Sequence, residues 1–302
     1  MRSLWLGVFV CAAMFVACGD DDSDFATRPS DGSSSSVCED CDDESSSSGK
    51  EIATNSSSSR NDKSSSSSTK SSSSVTLATP CKTKTEDNCE YGELVDDRDG
   101  QAYKTVKIGD QWWMAENLNY AYLQRTSELD SSSFCYNDSV EYCDKYGRLY
   151  TWAAAMDSAG TWSTNGKDCG YDVECSPTYP VRGVCPSGWH LPSNDEWNNL
   201  FNAVGGSFIA GAKLKSTSGC NDNGDESGNG TDDFGFSALP AGYGNVPGGV
   251  TYEGYDANIW GSTENGDFNS YGMHVYCNYD NAVMGFNGRF YVFSVRCLKD
   301  DP

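Results

Sequence analysis

Basic residues and histidine are scarce in this chain. Its 302 residues include 21 lysines and arginines against 44 aspartates and glutamates, which gives a formal net charge of −23, and only two histidines. A nucleic-acid-binding surface needs clustered lysine and arginine to neutralise phosphates, and no such cluster occurs, so we expect no nucleic-acid partner. His190 and His274 are too few for a histidine-rich metal site, and the sequence contains no serine–histidine–aspartate elbow.

Long apolar runs are missing after the N-terminal segment, so the sequence predicts no later membrane span. Residues 1–17 predict a lipoprotein signal peptide, in which Arg2 precedes an apolar run at 4–16 that is too short to span a bilayer. Phe15-Val16-Ala17-Cys18 has the form of a lipobox, so we expect cleavage before Cys18 and lipidation of that cysteine. The alternative is an ordinary signal peptide cut near Ala17. Lipidation predicts a lipid-anchored protein at the bacterial outer membrane or cell surface.

Residues 18–80 are dominated by serine and acidic side chains. Such a segment buries too little apolar area to offset its chain entropy, so we predict a disordered tether. Cys38 and Cys41 lie within it at a spacing found in redox and metal sites. Because no second pair accompanies them, a small local disulfide is favoured over a zinc site.

Fourteen cysteines in an exported chain predict disulfides rather than free thiols. Loss of Cys11 with the signal peptide and lipidation of Cys18 leave twelve, an even number. Their linear order suggests three local bridges, although spacing alone does not fix connectivity. These bridges are Cys81–Cys89, Cys135–Cys143 and Cys169–Cys175.

Residues 81–302 are predicted to form one domain, and its clearest local signal is a helix start. Ser193 and Glu196 have the spacing of a capping box. An apolar stripe follows at i, i+3, i+4 and i+7, and Gly205-Gly206 ends the helix. The stripe consists of Trp197, Leu200, Phe201 and Val204.

Strand signals are short and spread along the domain. Alternation predicts a β-hairpin in which residues 103–108 and 111–115 flank a turn at Gly109-Asp110. Trp112 and Trp113 then face opposite sides of one strand, and one of them faces the core. Further strands are predicted at 257–263, 271–276, 282–286 and 291–297. Regular structure is therefore predicted to be sparse, and the loops long.

An acidic loop at 220–233 is rich in oxygen ligands of the kind that calcium prefers. The candidate calcium ligands are Asp222, Asp225, Glu226 and Asp232. Their spacing is not that of an EF-hand, and the alternative is a solvated acidic loop without a metal. We expect no other cofactor.

Six segments, in the order of the family, resemble the Fibrobacter succinogenes major paralogous domain over about residues 91–300. They are Thr105–Asn119, Tyr150–Met156, Cys185–Pro192, Gly235–Gly242, Trp260–Glu264 and Ser294–Cys297. The family is typically found on exported lipoproteins, so the resemblance supports the predicted anchor. It implies no settled biochemical function.

Leu191–Trp197 is also similar to the Leu-Pro-Thr/Ser-x-x-Glu-Trp signature of formylglycine-generating-enzyme-like proteins, which share a core with C-type-lectin-like domains. The resemblance implies a loop-rich, disulfide-stapled α+β fold with a helix packed on twisted antiparallel sheet. In lectin-like domains a cysteine near the first helix pairs with one on the last strand. The resemblance therefore implies the pair Cys185–Cys297, which leaves Cys220 with Cys277.

The tether, the acidity and the lectin-like resemblance favour a surface-displayed, non-catalytic binding or adhesion module, with a polysaccharide as the expected ligand. Flat aromatic faces suit sugar rings, and loop oxygens with calcium could add specificity. The candidate ligand aromatics are Trp162, Tyr179, Tyr243, Tyr252 and Tyr255. Trp260 resembles a core position of the family, so we expect it in the core.

Two alternative functions differ in class. The first is a structural envelope or protein-interaction module, whose partner is an envelope protein. The second is a formylglycine-generating-type oxidase, which uses copper and two reactive cysteines close together near the C-terminus. Here Cys277 lies twenty positions before Cys297 and no third cysteine is near. The resemblance therefore does not extend to the active site of the oxidase, and we expect no enzyme activity.

Overall fold

The computed structural model describes residues 76–123, 133–221, 228–245 and 249–301, all within the unit Thr69–Pro302. The predicted signal peptide, the predicted lipidation site Cys18, the cysteines Cys38 and Cys41 and most of the predicted tether lie outside these residues. In the described ranges the fold is mixed α+β, with short strands in antiparallel sheets and few helices. None of the helices there has the length and apolar character needed to cross a membrane.

The elements are short throughout. The strands are β1 (Tyr91–Val95), β2 (Ala102–Ile108), β3 (Gln111–Met114), β4 (Ser133–Phe134), β5 (Leu149–Thr151), β6 (Trp189–His190), β7 (Tyr243–Asn245), β8 (Gly249–Thr251), β9 (Asp256–Asn265), β10 (Asn269–Tyr276), β11 (Ala282–Gly288), β12 (Tyr291–Phe293) and β13 (Leu298–Lys299). The α-helices are α1 (Val140–Tyr146), α2 (Trp152–Ala155), α3 (Asn194–Ala203) and α4 (Ser207–Leu214). Much of the chain between them is loop.

The first sheet has the strand order β1-β2-β3-β13-β6. It contains the predicted hairpin, in which β2 and β3 pair antiparallel around Gly109-Asp110 with Val106 opposite Trp113. Trp113 is fully buried, and Trp112 is only partly buried on the opposite side. The alternation of the two tryptophans is therefore confirmed.

The helix start at Ser193 is confirmed as the beginning of α3. The Ser193 hydroxyl accepts a hydrogen bond from the Glu196 amide at 3.3 Å, and the Glu196 carboxylate accepts one from the Ser193 amide at 2.7 Å. The apolar stripe is buried, and its Trp197 ring lies 4.8 Å from the Trp113 ring. Helix α3 thus joins the first sheet through an aromatic contact.

The second sheet has the order β11-β10-β9, and the third has the order β4-β5-β12-β7-β8. Trp260 on β9 connects them, because its ring stacks on Phe293 of β12 at 4.2 Å and its indole N–H donates to the Tyr150 carbonyl on β5 at 2.8 Å. Trp260 is completely buried. The expected core role of this tryptophan is confirmed.

In the described ranges, five disulfides join ten cysteines in the expected pairs. Three close local loops: Cys81–Cys89, Cys135–Cys143 and Cys169–Cys175. Cys185–Cys297 joins the chain just before β6 to the chain just before β13, across 112 positions of sequence. Cys220–Cys277 ties the loop after α4 to the end of β10.

Candidate functional site

A small pocket lies where the second and third sheets meet. It is lined by Tyr243, Asp256, Asn258, His274, Tyr276, Asn287, Tyr291 and Phe293, and we call these eight residues the tyrosine pocket. The cavity has a volume of about 140 Å³. Its polar groups come from the second sheet, and most of its aromatic rings come from the third.

Strand register brings the polar groups together. In the antiparallel pair β9–β10, Asp256 lies opposite Tyr276 and Asn258 lies opposite His274. Because residues two apart on a strand share a face, all four side chains belong to one face of the second sheet. The residues between them, Ala257 and Val275, are buried in the core on the other face.

Tyrosine and phenylalanine rings form the wall. The Tyr243 ring on β7 lies 5.6 Å from the Tyr291 ring and 6.1 Å from the Phe293 ring, edge to face in both cases. The pairing of β7 with β12 sets this arrangement, since Tyr291 and Val292 are the paired residues of β12. Edge-to-face packing keeps the rings in fixed orientations and leaves part of each tyrosine exposed.

His274 is neutral at the bottom of the pocket. Its Nδ1 donates to Asn258 Oδ1 at 2.6 Å, and its Nε2 accepts from Asn287 Nδ2 at 2.8 Å. A ring that donates at one nitrogen and accepts at the other carries a single proton. Burial lowers the pKa of His274 to about 4, which agrees with the neutral form. The histidine therefore orients two asparagine amides.

Two polar groups in the pocket have no side-chain partner among the described residues. Asn258 is 3% exposed, and its Nδ2 makes no hydrogen bond among the described residues. The Asp256 carboxylate, two positions earlier on the same face, also has no hydrogen bond or ion pair there. Burial raises the pKa of Asp256 to about 6. A buried donor without an acceptor costs about 1–3 kcal/mol, so Asn258 Nδ2 is the less ordinary of the two groups, because Asp256 is only half-buried.

Two more tyrosines extend the rim. The Tyr252 ring stacks on Tyr243 at 5.2 Å with an angle of 8° between the planes, and Tyr255 meets Tyr252 edge to face at 6.4 Å. Tyr252 is 49% exposed and has a φ of 61°, in the left-handed region. Its neighbour Glu253 holds the turn in place by accepting a hydrogen bond from the Tyr146 hydroxyl at 2.5 Å. Strained residues in such turns are found at binding sites more often than elsewhere.

Three of the five candidate ligand aromatics thus come together, and two lie elsewhere. Tyr243, Tyr252 and Tyr255 belong to the pocket and its rim. Trp162 is partly buried, and its ring lies 5.9 Å from Tyr120. Tyr179 is exposed and lines a separate, larger groove of about 870 Å³.

In the larger groove, part of the polar lining is already paired. His190, which lines it, lies between Glu196 at 3.1 Å and Asp300 at 2.7 Å. Glu196 also accepts from Ser193 as part of the helix cap. These contacts give His190 a structural role, whereas Asn194 Oδ1, which also lines the groove, makes no hydrogen bond among the described residues.

The calcium prediction falls mostly outside the described residues, which include Asp232 but not Asp222, Asp225 or Glu226. Asp232 is buried, and its carboxylate accepts from Lys82 Nζ at 2.6 Å and from the Ser237 amide at 2.6 Å. Its oxygens are therefore engaged inside the protein, while the calcium site stays a prediction. In the described ranges no group of three or more histidine, cysteine, aspartate or glutamate side chains is arranged to hold a metal.

Sequence reasoning missed the polar half of the pocket. Asp256 and Asn258 on one strand, and His274 and Tyr276 on another, alternate with buried apolar residues. Strands were predicted at 257–263 and 271–276, so three of the four lie in these segments and Asp256 directly precedes the first. Polar residues at every second position of a strand with buried neighbours are a signal that could have identified this face. The pairing of the two segments could not be derived in the same way.

Comparison with known protein families identifies a match. The family described as Fibrobacter succinogenes major domain (Fib_succ_major) matches residues 106–299, which is 194 of the 302 residues. No curated protein and no solved structure matches the chain. The matched range contains all eight residues of the tyrosine pocket, and the family description names no activity. The chain belongs to the Fibrobacter succinogenes major domain family.

Proposed function

We propose that the domain binds carbohydrate in the tyrosine pocket and that the protein is a non-catalytic binding or adhesion module displayed at the cell surface. The observation that carries the proposal is the unpartnered pair at the bottom of the pocket. Asn258 Nδ2 needs an acceptor and the Asp256 carboxylate needs a donor. A sugar hydroxyl is both, and neighbouring hydroxyls on one sugar ring satisfy the two groups together.

The aromatic wall supports the same ligand class. A sugar ring has an apolar C–H face and a polar edge, so it can pack on a tyrosine while its hydroxyls reach the polar floor. The stacked pair Tyr243 and Tyr252 offers such a face beside Asp256 and Asn258. A purely apolar ligand would leave the buried Asn258 donor unpaired, at a cost of about 1–3 kcal/mol, and would remove more water from the half-buried Asp256 carboxylate.

A lectin-like scaffold is part of the proposal. Helix α3 packs on antiparallel sheet, long loops separate short strands, and Cys185–Cys297 joins the region before α3 to the last strand. These features agree with the C-type-lectin-like and formylglycine-generating-enzyme-like fold that Leu191–Trp197 suggested. The lipid anchor at Cys18, an outer-membrane or surface location and a polysaccharide partner complete the proposal.

An oxidase function has less support. Its chemistry needs reactive thiols, and Cys297 and Cys277 are each in a disulfide, with Cys185 and Cys220. All ten cysteines in the described ranges are paired in this way. The pairing favours a structural role for these residues.

A retention assay on insoluble cellulose and xylan, with and without a calcium chelator, tests the proposal. The purified full-length chain is compared with a Tyr252→Ala/Tyr255→Ala variant at the rim. Phe208→Ala is the matched control, because Phe208 is an 87%-exposed aromatic on α4 that is not among the pocket residues. We expect retention of the wild type and the control and loss in the rim variant. Absence of binding to these polymers and to a broad glycan array would overturn the proposal.

A further inference from the structure

A second group of exposed rings continues from the tyrosine pocket. Tyr291 of the pocket lies 4.6 Å from Phe290, Phe290 lies 5.8 Å from Tyr171, and Tyr171 lies 5.6 Å from Phe268. Phe268 and Phe290 are 47% and 39% exposed. We call Tyr171, Phe268 and Phe290 the distal patch. With the rim and wall tyrosines, it forms an uninterrupted series of ring contacts across the surface.

The distal patch is assembled from three separate segments. Tyr171 lies in the loop closed by Cys169–Cys175, Phe268 lies in the turn between β9 and β10, and Phe290 lies in the turn between β11 and β12. The meeting of one tyrosine and two phenylalanines from three segments is not explained by local sequence. The residue that holds the three segments together is Arg289.

Arg289 is a buried arginine that joins the three turns. Its guanidinium donates to the carbonyls of Gly170 at 2.7 Å, Val173 at 3.1 Å and Gly266 at 2.7 Å, and it lies 4.2 Å from the Trp152 ring. Its backbone amide donates to the Phe268 carbonyl at 2.9 Å. Burying a charged group is costly unless its donors are satisfied, so these bonds fix the turns in one geometry. Apolar rings held rigid in solvent lose little conformational entropy when a ligand binds.

We infer that the ligand is a linear, uncharged polysaccharide whose chain runs from the tyrosine pocket onto the distal patch. This inference rests on the proposed function and extends it. One sugar unit in the pocket cannot also contact Tyr171 and Phe268, whereas the next units of the same chain can, because Tyr291 and Phe290 link the two sites. The exposed carboxylates of Asp172 and Asp267 flank the patch, so an acidic polymer would be repelled.

Binding as a function of chain length tests the inference. Isothermal titration calorimetry is carried out on the full-length chain with cellulose-derived and xylan-derived oligosaccharides of two to six units, and with an acidic galacturonate oligomer of the same length. The test variant is Tyr171→Ala/Phe268→Ala, and Phe208→Ala is again the control. We expect wild-type affinity for a neutral series to rise at least tenfold from two to six units. In the test variant this gain disappears while affinity for the disaccharide stays unchanged.

The outcomes separate the two proposals. Equal affinity for short and long neutral chains, or a length gain that survives in the test variant, overturns the inference and leaves carbohydrate binding standing. Preferred binding of the acidic oligomer also overturns it. Length-independent binding together with altered self-association of the test variant assigns the distal patch to a protein contact instead. If no oligosaccharide binds, the proposed function fails and this inference fails with it.

Discussion

Asn258 and His274 face each other across β9 and β10, and the imidazole Nδ1 donates to the asparagine Oδ1 at 2.6 Å. The bond fixes which end of the amide is used inside the protein. Oδ1 is taken by the histidine, so Nδ2 is the end without a partner. A pair of side chains within one sheet thus provides an oriented donor inside the pocket.

Asn258→Asp should remove the Nδ2 donor of Asn258 while keeping the hydrogen bond to His274. The substitution keeps an acceptor for His274 Nδ1, removes the Nδ2 donor and adds a negative charge. We expect at least tenfold weaker glycan binding, equivalent to about 1.4 kcal/mol. We also expect a rise in the pKa of His274, because an anion stabilises the imidazolium. Calorimetry measures the first effect and NMR titration of the imidazole measures the second.

The control for this variant is Asn198→Asp, the same change at an exposed position of α3. It should change neither the affinity nor the histidine pKa. An unchanged pKa of His274 in Asn258→Asp would contradict the hydrogen-bond assignment, whatever the ligand turns out to be.

Asp256→Asn should change the pH dependence of folding stability. Burial raises the pKa of Asp256 to about 6, so its contribution is fully present below its unfolded pKa of about 3.9 and is lost as the pH rises through about 6. The pKa of His274 is lowered to about 4 by burial, so its contribution is present above about 6.5 and is lost as the pH falls toward 4. Between these limits the two effects oppose each other.

Without the Asp256 carboxylate, the pH dependence of folding stability should therefore show the contribution of His274 unopposed. We expect Asp256→Asn to be more stable than wild type at pH 8 by about 1–2 kcal/mol, allowing for partial solvent screening, and to lose stability more steeply on acidification. Urea unfolding at pH 4.5, 6 and 8 measures this, with Asp110→Asn, a change at the exposed turn between β2 and β3, as the control. Parallel pH profiles for wild type and Asp256→Asn would show that the carboxylate is not desolvated.

The disulfides should differ in their contribution to stability according to the loop they close. Replacing Cys185 and Cys297 with serine opens a link across 112 positions. The chain-entropy relation gives this link a stabilisation of about 5 kcal/mol. Replacing Cys169 and Cys175 opens a link across 6 positions, for which the same relation gives a stabilisation of about 2 kcal/mol. Chemical unfolding should therefore show a far lower midpoint for the first variant than for the second.

The loop closed by Cys169–Cys175 should also affect oligosaccharide binding. Opening Cys169–Cys175 frees the segment that carries Tyr171, so the gain in affinity with oligosaccharide length should shrink while overall stability changes modestly. Equal destabilisation by the two double variants would show that loop length does not determine their effect.

The capping box at α3 should contribute measurably to the free energy of unfolding. Ser193→Ala removes the acceptor for the Glu196 amide, and we expect a loss of about 1 kcal/mol in the free energy of unfolding. Ser207→Ala, at the exposed first residue of α4, where Gly206 caps the helix without a side-chain bond, should change it by less than about 0.5 kcal/mol. Similar losses in the two variants would show that the Ser193 cap is not formed in solution.

Features that depend on near neighbours in sequence could be predicted. Ser193 and Glu196 are three residues apart, so helix geometry alone brings them together. The hairpin with Trp112 and Trp113 on opposite sides follows from the pleat of one strand. The three local cysteine pairs were suggested by their order along the chain. The links Cys185–Cys297 and Cys220–Cys277 came from family resemblance, because nothing local relates residues so far apart.

The pocket shows where prediction from sequence ended. Tyr243, Tyr252 and Tyr255 were candidates because aromatic faces suit sugars, and so were Trp162 and Tyr179, which the fold places elsewhere. Asp256 and His274 were not candidates. Each residue type alone is commoner in ordinary structural roles, and what distinguishes these two is the set of neighbours that surrounds them.

The sequence by itself determined the composition of the molecule and its short-range structure: an acidic chain with a predicted leader and tether, an α+β domain, the start of α3 and the membership of a family. Only the tertiary structure decided that β9 and β10 place Asp256 and Asn258 beside His274, that β7 and β12 close the pocket with tyrosines, and that Arg289 holds three turns together. The physical reason is that helix caps and strand alternation act over a few residues. A binding site instead depends on register, burial and hydrogen bonds between segments that meet only when the whole domain has folded.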